Sequence, residues 1–212
     1  MVELIRGLDA ARVRARLDEV REEVGPDVEV VAATKYVALE ELPVLAAAGV
    51  TIVGENRAQD LDTKHAAHGP AFTWDFIGHL QSRKVRQVLP LVRLIHSVSS
   101  DSVLDQLRAR AADRADLEVL VEVNVAREPG TAGVDPDDLD AFIARCPVRV
   151  GGLMTMPPLA ERPEDSQRWF AALAGLAAER GLARLSMGTS QDLGVAAQEG
   201  ATIVRVGSRL FR

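Results

Sequence analysis

A chain of 212 residues with 47% apolar but only 4% aromatic residues can bury one sizeable aliphatic core, and is neither disordered nor fibrous. Its net charge of −6 gives no general attraction for nucleic acid or anionic lipid, so both are excluded as expected partners and any bound anion needs a local site. No run approaches about eighteen apolar residues, and the charges at helical spacing in MVELIRGLDAARVRARL do not fit a secretory leader, so a cytoplasmic protein is expected.

Residues 3–23 read as an amphipathic helix ahead of the first strand. Eight β-branched runs follow, at 28–34, 50–54, 73–78, 92–98, 117–125, 148–154, 183–188 and 202–207. Most are nearly continuous in apolar residues, as strands covered on both faces should be. Between them, 38–48, 55–68, 80–90, 100–115, 135–145, 163–180 and 190–199 read as helices. Asp101 and Asp135 lie near helix starts, Pro136 suits a first helical position, and Gly49, Gly181 and Gly200 fall where helices should end. This alternation, with no linker or shift in composition, predicts an α/β fold: a single (β/α)8 TIM-type barrel over residues 1–212 with an extra N-terminal helix. The irregular stretches 126–134 and 155–162 follow strand ends, where barrels place their site loops.

Of 25 basic residues only Lys35, Lys64 and Lys84 are lysine. Lys35 closes the first strand (VVAATK) at the C-terminal rim. There it reads either as a desolvated free amine able to condense with a carbonyl, or as a rim lysine in a salt bridge. Lys64 and Lys84 lie on expected helices and read as solvated charges. Cys146 is the one cysteine, which leaves no disulfide and reads as a small buried hydrophobe. His65 and His68, three apart on an expected helix without a third ligand, point to no metal site.

The last two strands carry LSMGTSQDLG (185–194) and VRVGSR (204–209). Loops after the seventh and eighth strands of such barrels commonly hold a phosphate, and Gly188, Thr189, Ser190, Gly207 and Ser208 have suitable chemistry. Taken singly, plain helix caps and a plain turn explain each of them. In TIVRVG, alternation puts Ile203, Arg205 and Gly207 on one face. An arginine inside an apolar strand needs a partner. It reads either as an ion pair with Glu122 or Asp75, or as a donor aimed at a ligand's nitrogen or oxygen. After the second strand, Asn56 can offer an amide to a ligand, while Glu55 reads as a cap or an orienting group. His79, after the third, reads as a proton carrier or a structural histidine.

The segments VAATK (31–35), GENRAQD (54–60), WDFIGHLQSRK (74–84), IHSV (95–98), VEVNV (121–125), GGLMTMPP (151–158), LSMGTSQD (185–192) and VRVGSRLF (204–211) resemble, in order and across nearly the whole chain, the pyridoxal-phosphate homeostasis protein family (YggS/PROSC-like). That family's fold is similar to the N-terminal barrel of alanine racemase. The resemblance implies pyridoxal 5′-phosphate as cofactor, carried as a Schiff base on Lys35. It further implies that Asn56 and Met187 line the pocket, Ser190 with the Gly207–Ser208 turn takes the phosphate, and Arg205 faces the pyridine nitrogen; no residue is assigned a catalytic role. The chain departs from the family pattern at Thr131, Thr189 and Ser208.

An arginine at the ring nitrogen disfavours the pyridinium that electron-sink chemistry uses. Racemisation also needs a second base on the opposite face. The chain's only tyrosine, Tyr36, directly follows Lys35, and the sequence ends five residues after its last expected strand. The expected role is therefore vitamin B6 homeostasis, with the protein a monomer or weak dimer that carries the cofactor to apo-enzymes. A weak amino-acid racemase is the alternative, and a Schiff-base aldolase on sugar phosphates a more distant one.

Overall fold

The structure is a computed structural model and describes residues 3–112, 114 and 116–212. Among these, eight parallel strands close into one barrel in sequence order: β1 (Glu29–Ala33), β2 (Ile52–Glu55), β3 (Thr73–Phe76), β4 (Leu94–Val98), β5 (Glu118–Glu122), β6 (Arg149–Met154), β7 (Arg184–Thr189) and β8 (Ile203–Val206). β8 closes on β1 with Glu29 opposite Ile203 and Ala32 opposite Val206. Around the barrel run helices α1 (Ala10–Val24), α2 (Leu42–Ala47), α3 (Ala58–His68), α4 (Val85–Val88), α5 (Asp101–Arg110), α6 (Leu139–Arg145), α7 (Gln167–Glu179), α8 (Leu193–Gln198) and α9 (Ser208–Phe211). The expected TIM-type barrel is the observed fold.

Two apolar layers hold it together. Val31, Leu94, Leu120, Met154 and Ile203 meet inside the barrel, while the larger layer, including Leu17, Val53, Leu61, Leu107, Phe170 and Val204, fills the space between strands and helices. Burying one such aliphatic side chain contributes about 1.5–3 kcal/mol. No helix among the described residues is long and apolar enough to cross a membrane.

The element ends differ from expectation for local reasons. The helix expected from residue 3 starts at Ala10, because Asp9 caps it by accepting from the Arg12 amide at 2.8 Å. Ahead of that cap the chain runs extended along the rim after β1: Ile5 N–H donates to Tyr36 O at 2.7 Å and Ala38 N–H to Ile5 O at 3.1 Å. The helix expected over 80–90 is broken into α4 and single turns over Ser82–Lys84 and Leu89–Leu91. Pro90 supplies no N–H and crowds the carbonyl four residues earlier, so an α-helix cannot pass through it. β5 stops at Glu122, not 125, since Val134 N–H donates to Glu122 O and Asn124 N–H to Val134 O, folding the 126–134 loop back. α5 ends at Arg110; the expected end at 115, and Asp113, lie outside the described residues. α9, which was not expected, buries Leu210 and Phe211.

Candidate functional site

Lys35 sits just past β1 at the C-terminal rim, between the ends of β8 and β2, since Ala32 pairs with Val206 and Ala33 with Gly54. Its side chain is exposed and its Nζ lies 4.9 Å from the centroid of the Tyr36 ring. The side chain is thus open to solvent, not desolvated, and it makes no salt bridge among the described residues. The residue before it is tightly held. Thr34 N–H donates to Gly54 O (3.0 Å), its hydroxyl to Glu55 Oε1 (2.6 Å), and its carbonyl accepts from Lys64 Nζ (2.7 Å).

Lys64 also donates to Glu55 Oε1 at 2.6 Å, with only 6% of Lys64 and none of Glu55 exposed. Sequence reasoning missed this buried pair. The reading of Lys64 as a solvated helix charge is wrong because α3 lays that face on the end of β2, where Glu55 turns away from the barrel interior. Lys84 is half-buried and bonded to Gln87 at 3.3 Å.

The phosphate-type residues meet at the ends of β7 and β8. Ser190 Oγ accepts from the amides of Gly207 (3.2 Å) and Arg209 (3.3 Å), so one hydroxyl ties the β7 loop to the start of α9. Those amides, with the exposed Ser208 beside them, are donors an anion can use. Thr189 is occupied otherwise: its amide and hydroxyl both donate to Asp192 Oδ1, at 2.7 and 3.1 Å. Gly188 makes the turn possible with φ 89°, and a Cβ there would lie 2.5 Å from that of Ala196. Asn56 follows β2, its Oδ1 buried and without a partner, and the backbone of Asn56 rests directly on Gly78, where a Cβ would come within 2.2 Å of its carbonyl. Met187 does not join this cluster. It alternates with the inward Ser186 and is fully buried in the outer layer under the helices, so the pocket contact expected of it has no basis in the strand geometry. Thr131 is exposed in the 126–134 loop.

Arg205 points into the barrel, as the alternation of β8 required. Its partners are neither of the carboxylates considered: Nη1 donates to Ser186 Oγ (2.5 Å), and Nη2 to Thr155 O (3.0 Å) and Met156 Sδ (2.9 Å). Asp75 is bound instead to Arg93 and His96. Glu122 is 6% exposed and its Oε2 is unpartnered; burial pushes its carboxyl above the usual carboxylate range, against the pull of Arg205 and His79. Burial likewise lowers the Arg205 guanidinium to about 10, partly offset by Glu122 and Asp192, which leaves it cationic at neutral pH. The mouth thus presents a fixed cation, an unpartnered carboxyl and amide oxygen, an exposed primary amine and two backbone amides gathered on the Ser190 hydroxyl.

The sequence matches the family model for the alanine racemase N-terminal domain over residues 8–212. It is 37% identical to the pyridoxal phosphate homeostasis protein of Aquifex aeolicus over 95% of both chains. The chain belongs to the pyridoxal phosphate homeostasis protein family. Among solved structures it is similar to PipY of Synechococcus elongatus without PLP, with 33% identity and a TM-score of 0.86 over 94% of this chain and all of that one. PipY with PLP bound gives 32% identity and a TM-score of 0.83 at the same coverage. The alanine racemase of Corynebacterium glutamicum, at 15% identity and a TM-score of 0.74, shares the barrel fold over 62% of its own length. The chain places Ser190, Gly207, Lys35 and Asn56 just past the ends of four consecutive strands of the closed barrel, β7, β8, β1 and β2.

Proposed function

We propose that this protein binds pyridoxal 5′-phosphate as a Schiff base on Lys35 and serves vitamin B6 homeostasis rather than efficient catalysis. The observation that carries this reading is the convergence of Lys35, Asn56, Arg205 and the Ser190–Gly207–Ser208 cradle at adjoining strand ends. These residues suit a phosphorylated heteroaromatic aldehyde: the cradle offers amides and hydroxyls to a phosphate, Arg205 a donor to a ring nitrogen, and Asn56 an amide whose buried oxygen lacks a partner. The names and bound ligand of the family relatives point the same way.

Pyridoxal phosphate supplies an aldehyde that condenses reversibly with an amine, and a ring that withdraws electrons when its nitrogen is protonated. Lys35 supplies the amine. Lys35, exposed at the rim, would lose water to a ligand bound over it, and in that setting its neutral, nucleophilic form would be favoured. Arg205 stays cationic at neutral pH and opposes a proton on the adjacent ring nitrogen, so it discourages carbanion chemistry. Tyr36 stacks on the Lys35 ammonium, on the lysine's own side, which is a poor place for a second base. Without such a base, turnover loses the roughly 10²–10⁴-fold that general-base catalysis contributes.

The test is to follow cofactor delivery from the loaded protein to an apo-enzyme, alongside racemisation, α-proton exchange and transamination of L- and D-amino acids. Transfer with feeble turnover is expected. Turnover of any amino acid near ordinary enzyme rates of about 10 s⁻¹ would establish the racemase alternative instead.

A further inference from the structure

A column of polar groups crosses the barrel interior from its N-terminal pole to Arg205. Arg93 donates to Glu29 Oε2 (2.8 Å) and, through Nε and Nη2, to both oxygens of Asp75 (3.1 and 2.9 Å). Asp75 Oδ2 meets His96 Nε2 at 3.2 Å, and His96 Nδ1 meets Ser186 Oγ at 2.8 Å. Ser186 Oγ in turn accepts from Arg205. Asp75, His96 and Ser186 are fully buried and Arg205 is 5% exposed, so water does not stand in for any of these partners. The groups come from β3, β4, β7 and β8, which no local sequence pattern brings together.

We propose that His96 and Ser186 are positioning residues for Arg205, and that the four groups form a one-way hydrogen-bond chain, Arg205 to Ser186 to His96 to Asp75, ending on a carboxylate that never touches the ligand. The proposal rests on the reading that Arg205 faces a bound ring. The direction of the chain follows from counting hydrogens. Asp75, an ionised carboxylate bonded twice by Arg93, can only accept, so His96 Nε2 carries a hydrogen. With the one hydrogen of a neutral His96 on Nε2, Nδ1 is bare and can only accept, so the single Ser186 hydroxyl hydrogen goes to it while the Ser186 oxygen accepts from Arg205. A protonated His96 would leave that hydroxyl without an acceptor and place a third cation between Arg93 and Arg205 in a buried space.

Titration agrees with this geometry. Burial is the main force holding His96 below its ordinary value, with the Arg205 and Arg93 charges helping and Asp75 opposing. For Asp75 burial works the other way, but His96 and then Arg93 outweigh it and keep the carboxyl below the usual range.

The chain has a definite effect on Arg205. Three of the five guanidinium hydrogens are taken by Ser186, Thr155 O and Met156 Sδ, which leaves two, at Nε and Nη1, without a protein acceptor among the described residues. A charged donor with free hydrogens is thereby held at one place by neutral acceptors, with no carboxylate bonded to it among the described residues. Chains of buried hydrogen bonds reinforce one another, so loss of one link loosens the next.

Two measurements test this. In the ligand-free protein, ¹⁵N NMR of His96 should show a neutral ring with hydrogen on Nε2 and not Nδ1, unchanged from pH 6 to 8. An imidazolium or the opposite tautomer would overturn the chain whatever the cofactor. In the loaded protein, His96→Leu and Ser186→Ala should each weaken binding of pyridoxal phosphate about tenfold, a 1.4 kcal/mol effect. Unphosphorylated pyridoxal should weaken equally, because the chain acts on the ring end of the ligand. His96→Gln can donate to Asp75 and accept from Ser186, and should rescue the affinity for both pyridoxal phosphate and pyridoxal. If the Gln and Leu variants behave alike, or if Ser186→Ala, the smaller change, binds as the unaltered protein does, His96 and Ser186 are structural only. A wild-type protein that binds no pyridoxal phosphate would sink the cofactor reading and, with it, the role of the chain toward a ring, while the NMR result still decides its direction.

Discussion

Replacing Lys64 by Met keeps the length of the side chain and removes its ammonium. Glu55 then keeps only the Thr34 hydroxyl on Oε1, with Oε2 already unpartnered, in a position that has no solvent exposure. The Thr34 carbonyl loses its Lys64 donor as well. Removing one member of a buried pair costs about 3–5 kcal/mol because the remaining charge is left uncompensated. That is a large part of the roughly 5–15 kcal/mol by which folded domains are stable. Replacing both members, Lys64→Met with Glu55→Met, removes the stranded charge and should recover most of the loss, since an apolar pair of similar volume is often neutral or better. Urea unfolding of the ligand-free protein at pH 7, for both single variants and the double, gives the coupling energy directly. Single variants that cost less than about 1 kcal/mol, the range of exposed ion pairs, would refute the buried pair and restore Lys64 to the solvated surface.

Glu122→Gln should stabilise the ligand-free protein at pH 7 by about 1 kcal/mol, the scale of relieving one buried group left without a partner. Because the folded carboxyl titrates above the ordinary glutamate value of about 4.3, its favourable contribution is complete below that value and is lost as pH rises through the folded one, so the gain should shrink to nothing in urea titrations repeated at about pH 4. Gly188→Ala has to adopt φ 89° against Ala196 and should cost about 1–3 kcal/mol, read from the thermal midpoint; an unchanged midpoint would show that this turn relaxes freely. Ser190→Ala with Ser208→Ala should weaken pyridoxal phosphate by roughly 1–3 kcal/mol and unphosphorylated pyridoxal much less; equal losses in a binding titration would place the phosphate elsewhere.

The barrel was legible because parallel strands covered on both faces leave near-continuous apolar runs, and eight of them alternate with helical segments. Ends were less legible. Pro90 and the Asp9 cap are visible in the sequence, but their effect was outweighed in the reading by longer helical periodicity. The placement of Lys35, Asn56, Ser190 and Gly207 at strand ends was legible from their rim position, while their roles toward a ligand belong to the proposal. Arg205 was found as a polar residue inside an apolar strand. The same rule applied to Asp75 in TWDF, His96 in LIHSV and Ser186 in LSMG would have flagged the interior column, although only the closed barrel shows that they touch. Lys64 was misread for the opposite reason: it looks like an ordinary charge on a helix face, and its burial against Glu55, whose orienting role was one of the two readings, depends on how α3 lies against β2. Met187 fell on the wrong side of its strand, and the inward Ser186 beside it settles the phase of that alternation.

The central claim is that Lys35 holds the cofactor covalently. Load the protein with pyridoxal phosphate, reduce it with borohydride, digest it, and locate the pyridoxyl group by mass spectrometry. The adduct should lie on the peptide bearing Lys35, with Lys64 and Lys84 unmodified, and Lys35→Ala should abolish it. An adduct mainly on Lys64 or Lys84, or none at all from a protein that still retains the ligand, would contradict the account.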